Sequence, residues 1–305
     1  MKIALIIKKN SKRRILLSSL LEKIKQLDVF SEQTFYYTNY PGHAYDLAKN
    51  EALKRTSIVI GVGGDGTLNE IVNGLLHKGE TETIFGYFPL GTANDFSKTA
   101  GKIESIDSFI ESLKKLSIKE MDIGEVICES KKSKKRKFFI NIADTGLGGF
   151  IAKKLNKDQK LFGGQFAYIK HTLLGFVQFK KKGARIQIGD FCYEGKLLSV
   201  VVCNGKVFGN GLIVAPMAEI YDGTLNVTLF GDVTIWDYIK NLPNLRKGLK
   251  IEHPNIFYLN CTTFSISTQN NDLKSEADGE YVGSGKTTYR LASFSLKLLQ
   301  LTQDL

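Results

Sequence analysis

The chain has 305 residues, 43% hydrophobic and 24% charged, which excludes a disordered or fibrous chain and exceeds one ordinary core, so two domains are expected. The 42 basic and 31 acidic residues leave a net charge of +11, a surface suited to anionic partners: phosphorylated cofactors, nucleic acid or an anionic lipid surface. Cys128, Cys192, Cys203 and Cys261 lack disulfide-scaffold or zinc spacing, the opening MKIALIIKKN is too short for a secretion signal, and no apolar run reaches the ~18 residues of a membrane span, so a cytoplasmic protein is expected. Ile3–Ile7 is a continuous apolar run, as a strand buried on both faces requires. Ile15–Leu27 has helical spacing, Gln33–Thr38 reads as a strand, His43–Leu53 as a helix and Ser57–Val62 as a third buried strand. Helix Leu68–Leu76, strand Ile84–Pro89 and helix Ile106–Leu116 complete a βαβα order, which predicts an open, largely parallel sheet.

After Asp122 the period becomes two, with short strands at Ile123–Cys128, Phe138–Ile142, Ala184–Ile188, Leu197–Cys203, Leu225–Leu229 and Phe264–Thr268. This predicts an antiparallel, sandwich-like second domain with a helical insert near Gly164–Phe179. Tyr289–Leu299 alternates and fits either sheet. The expected domains are 1–123, with about 290–305 returning to it, and 124–289.

The most informative segment, Gly61–Glu70, reads GVGGDGTLNE between a strand and a helix. Bare backbone at Gly63, Gly64 and Gly66 can approach a ligand, and amides at the positive helix end near Thr67 suit phosphate. Asp65 inside such a loop implies a bridging Mg²⁺. A structural turn and a dinucleotide fingerprint through Gly61, Gly63 and Gly66 are the competing readings; against the second, Asp65 would face a pyrophosphate. Pro89–Phe96, PLGTANDF, places a second tight turn at Gly91 and Thr92, followed by Asn94 and Asp95. GSGKTT at Gly283–Thr288 lacks the glycine spacing of a phosphate-binding Walker loop.

These motifs resemble the diacylglycerol kinase catalytic-domain family: GGDGTLNE looks like its first signature, and PLGTANDF resembles its P-L/M-G-T-x-N-D-F loop. Met121–Gly124 (MDIG), Phe139–Gly146 (FINIADTG), Pro216–Leu225 (PMAEIYDGTL) and Glu276–Glu280 (EADGE) match later family segments in order. The family's opening N-P-x-S-G loop is replaced by the basic stretch Lys8–Arg14, whose cations could hold phosphate by charge. The resemblance implies a nucleotide-binding α/β domain followed by an antiparallel β domain, with the active site in the cleft between them. It implies ATP held by Thr38, Gly63, Gly64, Gly66, Thr67, Thr92 and Asn94, and Mg²⁺ held by Asp65, Asp95 and Asp122. A structural Mg²⁺ would sit on Asp222 and the carbonyls of Glu219 and Thr224. Glu280 or Asp278 would be the base, since in an extended strand both point to one side. The implied reaction is phosphorylation of a membrane lipid hydroxyl, diacylglycerol giving phosphatidate, at the inner face of the plasma membrane. The alternatives are an NAD kinase-like or other small-alcohol kinase and a non-catalytic lipid or nucleotide sensor. The run Lys131–Lys137, six of seven residues basic, reads as a solvated hairpin tip or as a contact with anionic lipid. No nucleic-acid recognition module is legible, and a homodimer is compatible with the sequence.

Overall fold

A computed structural model describes residues 1–9, 13–131, 133–158, 174–209, 211–268, 270 and 272–302. The chain forms two compact units, Met1–Met121 with Ser293–Leu305, and Asp122–Ala292.

The first unit carries a six-stranded sheet in the order β2-β1-β3-β4-β20-β5. Its strands are β1 (Lys2–Lys8), β2 (Glu32–Thr38), β3 (Ile58–Gly63), β4 (Ile84–Pro89), β20 (Leu296–Leu299) and β5 (Ile118–Met121). The first four pair in parallel, β20 adds parallel to β4, and β5 closes the edge antiparallel to β20. Helices cover both faces, which is why β1 and β3 are apolar without alternation. Ile3, Leu5, Ile58 and Ile60 pack on α1 (Arg14–Lys25) and α5 (Ile106–Lys115). On the other face Gly61 lies under α3 (Asp65–Leu75), where an added Cβ would stand 2.6 Å from the Leu68 side chain. α2 (His43–Leu53) packs beside α3, with Gly74 of α3 against the Tyr45 carbonyl. The parallel register brings the carboxyl ends of β1 to β4 to one edge: Lys8 pairs with Thr38, Ile7 with Val62 and Gly63 with Pro89. Open α/β sheets bind ligands at that edge.

The second unit is a sandwich of two antiparallel six-stranded sheets. One has the order β10 (Phe191–Leu197), β9 (Lys182–Ile188), β16 (Thr263–Ser267), β19 (Lys286–Leu291), β6 (Gly124–Glu129), β7 (Lys134–Phe139). The other runs β15 (Ile256–Cys261), β14 (Leu225–Phe230), β11 (Ser199–Cys203), β8 (Ile142–Gly146), β17 (Lys274–Ala277), β18 (Glu280–Ser284). Val126, Phe139, Ile186, Val200, Leu225 and Tyr289 share the core that the strands of both sheets bury. The outer face of the second sheet builds a further apolar cluster with α6 (Leu147–Asp158) and α7 (Ile235–Lys247).

Three expectations change. Phe138–Ile142 is not one strand: β7 ends at Phe139 and β8 begins at Ile142. Tyr289–Leu299 is two strands, β19 in the second unit and β20 in the first. The helical insert lies partly outside the described residues; within them, helix occurs as α6 and at 174–178. The basic run, of which residue 132 is outside the described residues, forms most of edge strand β7 rather than a bare tip. In it Lys134 pairs with Glu129 and Arg136 with the buried Glu125. GSGKTT spans the end of β18, the crossing at Gly285 and the start of β19, which lie in different sheets.

Candidate active site

β3 ends at Gly63, and α3 starts two residues later, three residues before the sequence periodicity begins at Leu68. Asp65 therefore sits in the first helical turn, where the exposed amides and the helix dipole favour an anion. The second glycine turn lies directly against the first. The Leu90 amide donates to the Gly63 carbonyl at 2.8 Å, and a Cβ on Gly91 would stand 2.4 Å from the Gly64 Cα. Glycine is thus required at Gly91 for the turns to touch, and a Cβ on Gly64 would make a tight contact of 3.1 Å with the Gly91 Cα. Asn94 locks the second turn: its Oδ1 accepts from the Gly91 amide at 2.9 Å and its Nδ2 donates to the Gly91 carbonyl at 3.1 Å. Its left-handed φ of 49° explains the asparagine, which tolerates that conformation. Thr92 is exposed at the tip, and Thr67 is buried with its amide on the Gly64 carbonyl.

Asp65 and Asp95 meet where the turns join. Asp65 Oδ1 accepts from the Phe96 amide at 3.0 Å, and buried Asp95 opens α4 (Asp95–Ala100) with Lys98 Nζ on its Oδ1 at 2.7 Å. Burial pushes the Asp65 carboxyl above its ordinary range; the Phe96 and Asp95 amides pull it down and the Asp95 charge raises it again. A carboxylate held at a cost beside a second carboxylate is what a bound cation would relieve. Gly66 differs from its neighbours: no atom lies within 4 Å of a Cβ added there. A helical glycine without a packing reason leaves room for a ligand at the amides, so these residues fit a magnesium–phosphate group. Gly66→Ala is expected to raise stability by about 0.5 kcal/mol through helix propensity while lowering phosphoryl-transfer turnover at least tenfold. Urea unfolding and steady-state turnover measure the two sides.

Thr38 ends β2 beside Lys9, whose amide approaches the Thr38 hydroxyl at 3.5 Å; residues 10–12 of the Lys8–Arg14 loop lie outside the described residues. Sequence reading overlooked Glu70. Its two carboxylate oxygens accept from the Gly42 and Ala44 amides at 3.0 and 3.2 Å, tying the start of α2 to α3.

In the second unit Asp122 Oδ2 accepts from the Gly223 amide at 2.8 Å, and its own amide donates to the Ile220 carbonyl. Asp222 Oδ1 accepts from the amide and the hydroxyl of Thr224. Burial raises the Asp122 carboxyl, the Gly223 amide lowers it, and neighbouring Asp222 raises it. Asp122 is thus committed to the turn of Asp222, with Glu219 exposed nearby in sequence. Among the described residues no three His, Cys, Asp or Glu side chains gather as a metal cage.

The DG pair between β17 and β18 corrects another expectation. Asp278 (φ 47°) and Gly279 (φ 84°) are both left-handed, forming a two-residue hairpin turn. The two acids therefore do not alternate along an extended strand. Asp278 accepts three amides, from Ile140 at 2.9 Å, Asn141 at 3.1 Å and Ile142 at 2.9 Å, and so holds the break between β7 and β8. Glu280 is first in β18 and half-buried, and its carboxylate makes no hydrogen bond or ion pair among the described residues. Asp278→Ala is expected to destabilise the protein by about 3 kcal/mol or more, since three amides lose their acceptor; the urea midpoint reads it.

Behind β8 and β11 lies an apolar pocket with a cavity volume of about 90 Å³. Leu147, Ile151, Phe176, Val201, Phe230 and Tyr238 line it, and Asp144 and Ser199 supply a polar spot on its wall.

The diacylglycerol kinase catalytic domain matches residues 2–126, and the YegS C-terminal NAD kinase beta sandwich-like domain matches residues 141–300. The chain belongs to the diacylglycerol kinase catalytic-domain family. A Bacillus subtilis diacylglycerol kinase is 26% identical over 88% of this chain and 84% of its own length. The Pseudomonas aeruginosa protein named "Probable lipid kinase YegS-like" is 33% identical over 55% of this chain, and the match spans about half (52%) of that protein. A crystal structure of a diacylglycerol kinase from Bacillus anthracis superposes with a TM-score of 0.71 at 19% identity, covering 98% of this chain and 96% of that one, which shows the shared fold. Members of this kinase family carry the two-part architecture seen here, a mixed parallel sheet followed by an antiparallel sandwich. No helix among the described residues is long and apolar enough to cross a membrane.

Proposed function

We propose that the chain is an ATP-dependent lipid kinase that transfers the γ-phosphoryl group to a membrane-lipid hydroxyl, converting diacylglycerol to phosphatidate. One observation carries this reading: two glycine turns touch at Gly64 and Gly91 on the carboxyl edge of a parallel sheet, with the costly carboxylate of Asp65 between them and open space at Gly66. Phosphoryl transfer asks mainly for positioning and charge neutralisation, and this arrangement supplies both. The amides of Gly64 and Gly66 face phosphate oxygens, Thr67 closes the turn through its amide on the Gly64 carbonyl, and Thr38 and Thr92 flank the nucleotide. Asn94 serves indirectly, by fixing the Gly91 turn. Asp65 and Asp95 would hold Mg²⁺, which neutralises charge on the triphosphate when bound. A structural cation would sit on the turn of Asp122 and Asp222. Glu280, whose carboxylate is uncommitted, takes the proton from the attacking hydroxyl as the new oxygen–phosphorus bond forms and ADP leaves. The apolar pocket of the second unit accepts the hydrocarbon of the acceptor.

Radiolabelled ATP incubated with total lipid extract is the test, with identification of the labelled product. Labelled phosphatidate is the expected result. Label on NAD but on no lipid would establish the NAD kinase-like alternative, and nucleotide binding without turnover would establish a sensor. Glu280→Gln is expected to lower lipid turnover by about two to three orders of magnitude, with stability changed by less than about 0.5 kcal/mol.

A further inference from the structure

The second unit exposes large apolar side chains on two helices that also wall its pocket. Trp236 is 75% exposed on α7, with Ile239 one turn further along the same face. Val177 is 77% exposed on the helical residues 174–178, with Leu174 one turn before it. These helices touch through Phe176 and Tyr238, whose ring centroids lie 4.9 Å apart and which both line the pocket. Each helix thus points one set of apolar residues inward and another outward. Residues 174–182 and 234–250 together contain seven Lys or Arg and one acid, Asp237; of the seven, Lys181 pairs with Asp232 and Lys182 with Asp272. That acid is turned to the helix start, where it accepts from the Thr234 amide and hydroxyl. Lys180, Lys240, Arg246 and Lys247 are exposed on the same two segments.

We propose that this face, Leu174 and Val177 with Trp236 and Ile239, is the surface by which the chain docks onto an anionic lipid bilayer. A tryptophan and aliphatic residues ringed by lysines match the boundary between headgroups and acyl chains, where indole is favoured and each nearby cation gains on the order of 1 kcal/mol. A protein partner or a second copy would have no comparable use for cations of one sign around the apolar centre. The choice of a bilayer rests on the lipid-acceptor reading, whereas docking itself is measurable without turnover. It places the pocket-walling helices against the phase that holds the acceptor.

Trp236 is the only tryptophan of the chain, so its emission reports this face alone. The test adds phosphatidylglycerol–phosphatidylcholine vesicles to the full chain. Emission is expected to shift to the blue and to be quenched by lipids brominated on the acyl chains. Salt and vesicles of phosphatidylcholine alone should weaken both effects. Ile239→Asp is expected to reduce co-sedimentation with vesicles about tenfold or more and to leave turnover of detergent-dispersed acceptor at the parent level. Unchanged emission on vesicle addition, undiminished binding of Ile239→Asp, or a blue shift that follows protein concentration rather than lipid would overturn the proposal, the last pointing to a second copy. Binding with no turnover of any lipid would leave this face standing and remove the kinase reading instead.

Discussion

Asp65→Asn is expected to lower phosphoryl transfer by about three orders of magnitude, roughly 4 kcal/mol of barrier, while leaving the ligand-free protein as stable as the parent or more so. Asparagine keeps the shape of the side chain, and its Oδ1 can still accept from the Phe96 amide that meets Asp65 at 3.0 Å. What it removes is a charge that burial and the neighbouring Asp95 make costly. The folded carboxyl titrates above its unfolded value, so its contribution to stability is complete below about pH 4 and declines as pH rises through the folded value. At neutral pH the parent bears that loss and Asp65→Asn does not, apart from the few tenths of a kcal/mol that a negative charge gains in the first turn of α3. A site kept against stability is a site kept for a ligand. Thermal unfolding at pH 7.5 with and without Mg²⁺ and nucleotide separates the terms: ligand should raise the parent midpoint and leave that of Asp65→Asn in place. Turnover within tenfold of the parent would remove Asp65 from the phosphate site.

The parallel sheet was legible because burial on both faces writes unbroken apolar strands, and the glycine turns were legible because bare backbone against a carboxylate has few uses. The sequence was silent wherever partners are distant. Phe138–Ile142 reads as one strand because every residue there suits one, and the break at Ile140 and Asn141 is imposed by Asp278, more than 130 residues later. Tyr289–Leu299 alternates throughout, yet it serves two sheets, since period two records a pleat and not the identity of its neighbour. α7 did carry a local signal, Thr234 and Asp237 in a reciprocal cap. The turn at Asp278 and Gly279 carried one as well. An Asp-Gly pair between short alternating runs favours a hairpin with both residues left-handed, and applying that rule would have separated the roles of Asp278 and Glu280 before any coordinates.

Stability is expected to fall by about 4 kcal/mol between pH 4 and pH 8, because two carboxyl groups face each other, buried on the outer face of the second sheet beside α6. Asp144 of β8 and Glu276 of β17 are register partners and are both fully buried. Asp144 accepts from the Ser199 hydroxyl and, at 3.2 Å, from the Gly149 amide; Glu276 Oε2 accepts from the Gly279 amide at 2.6 Å, and its Oε1 has no hydrogen-bond partner. Two charges at this distance from solvent cannot both be sustained, so the pair retains a proton at neutral pH. Burial pushes Asp144 up to about 7, and burial with the Asp144 charge pushes Glu276 well above the carboxylate range. Both folded values exceed the unfolded ones, so the folded state binds more protons and stability drops as pH rises. For Asp144 the interval from 3.8 to about 7, at 1.36 kcal/mol per unit, gives the figure above. Carboxylates such as Asp232 and Asp237, which lysine and the Thr234 cap hold low, act in the opposite direction only at more acid pH. Glu276→Gln replaces the proton with an amide that can donate to Asp144 and still accept from Gly279. It should flatten the dependence to less than half, as urea unfolding at pH 5 and pH 8 will show. A parent protein that gains stability over that interval would mean the two acids are not charged against each other. The consequence reaches the chemistry, because Glu276 braces the hairpin turn that positions Glu280: above neutral pH, loss of the shared proton should loosen that turn before it unfolds the sandwich.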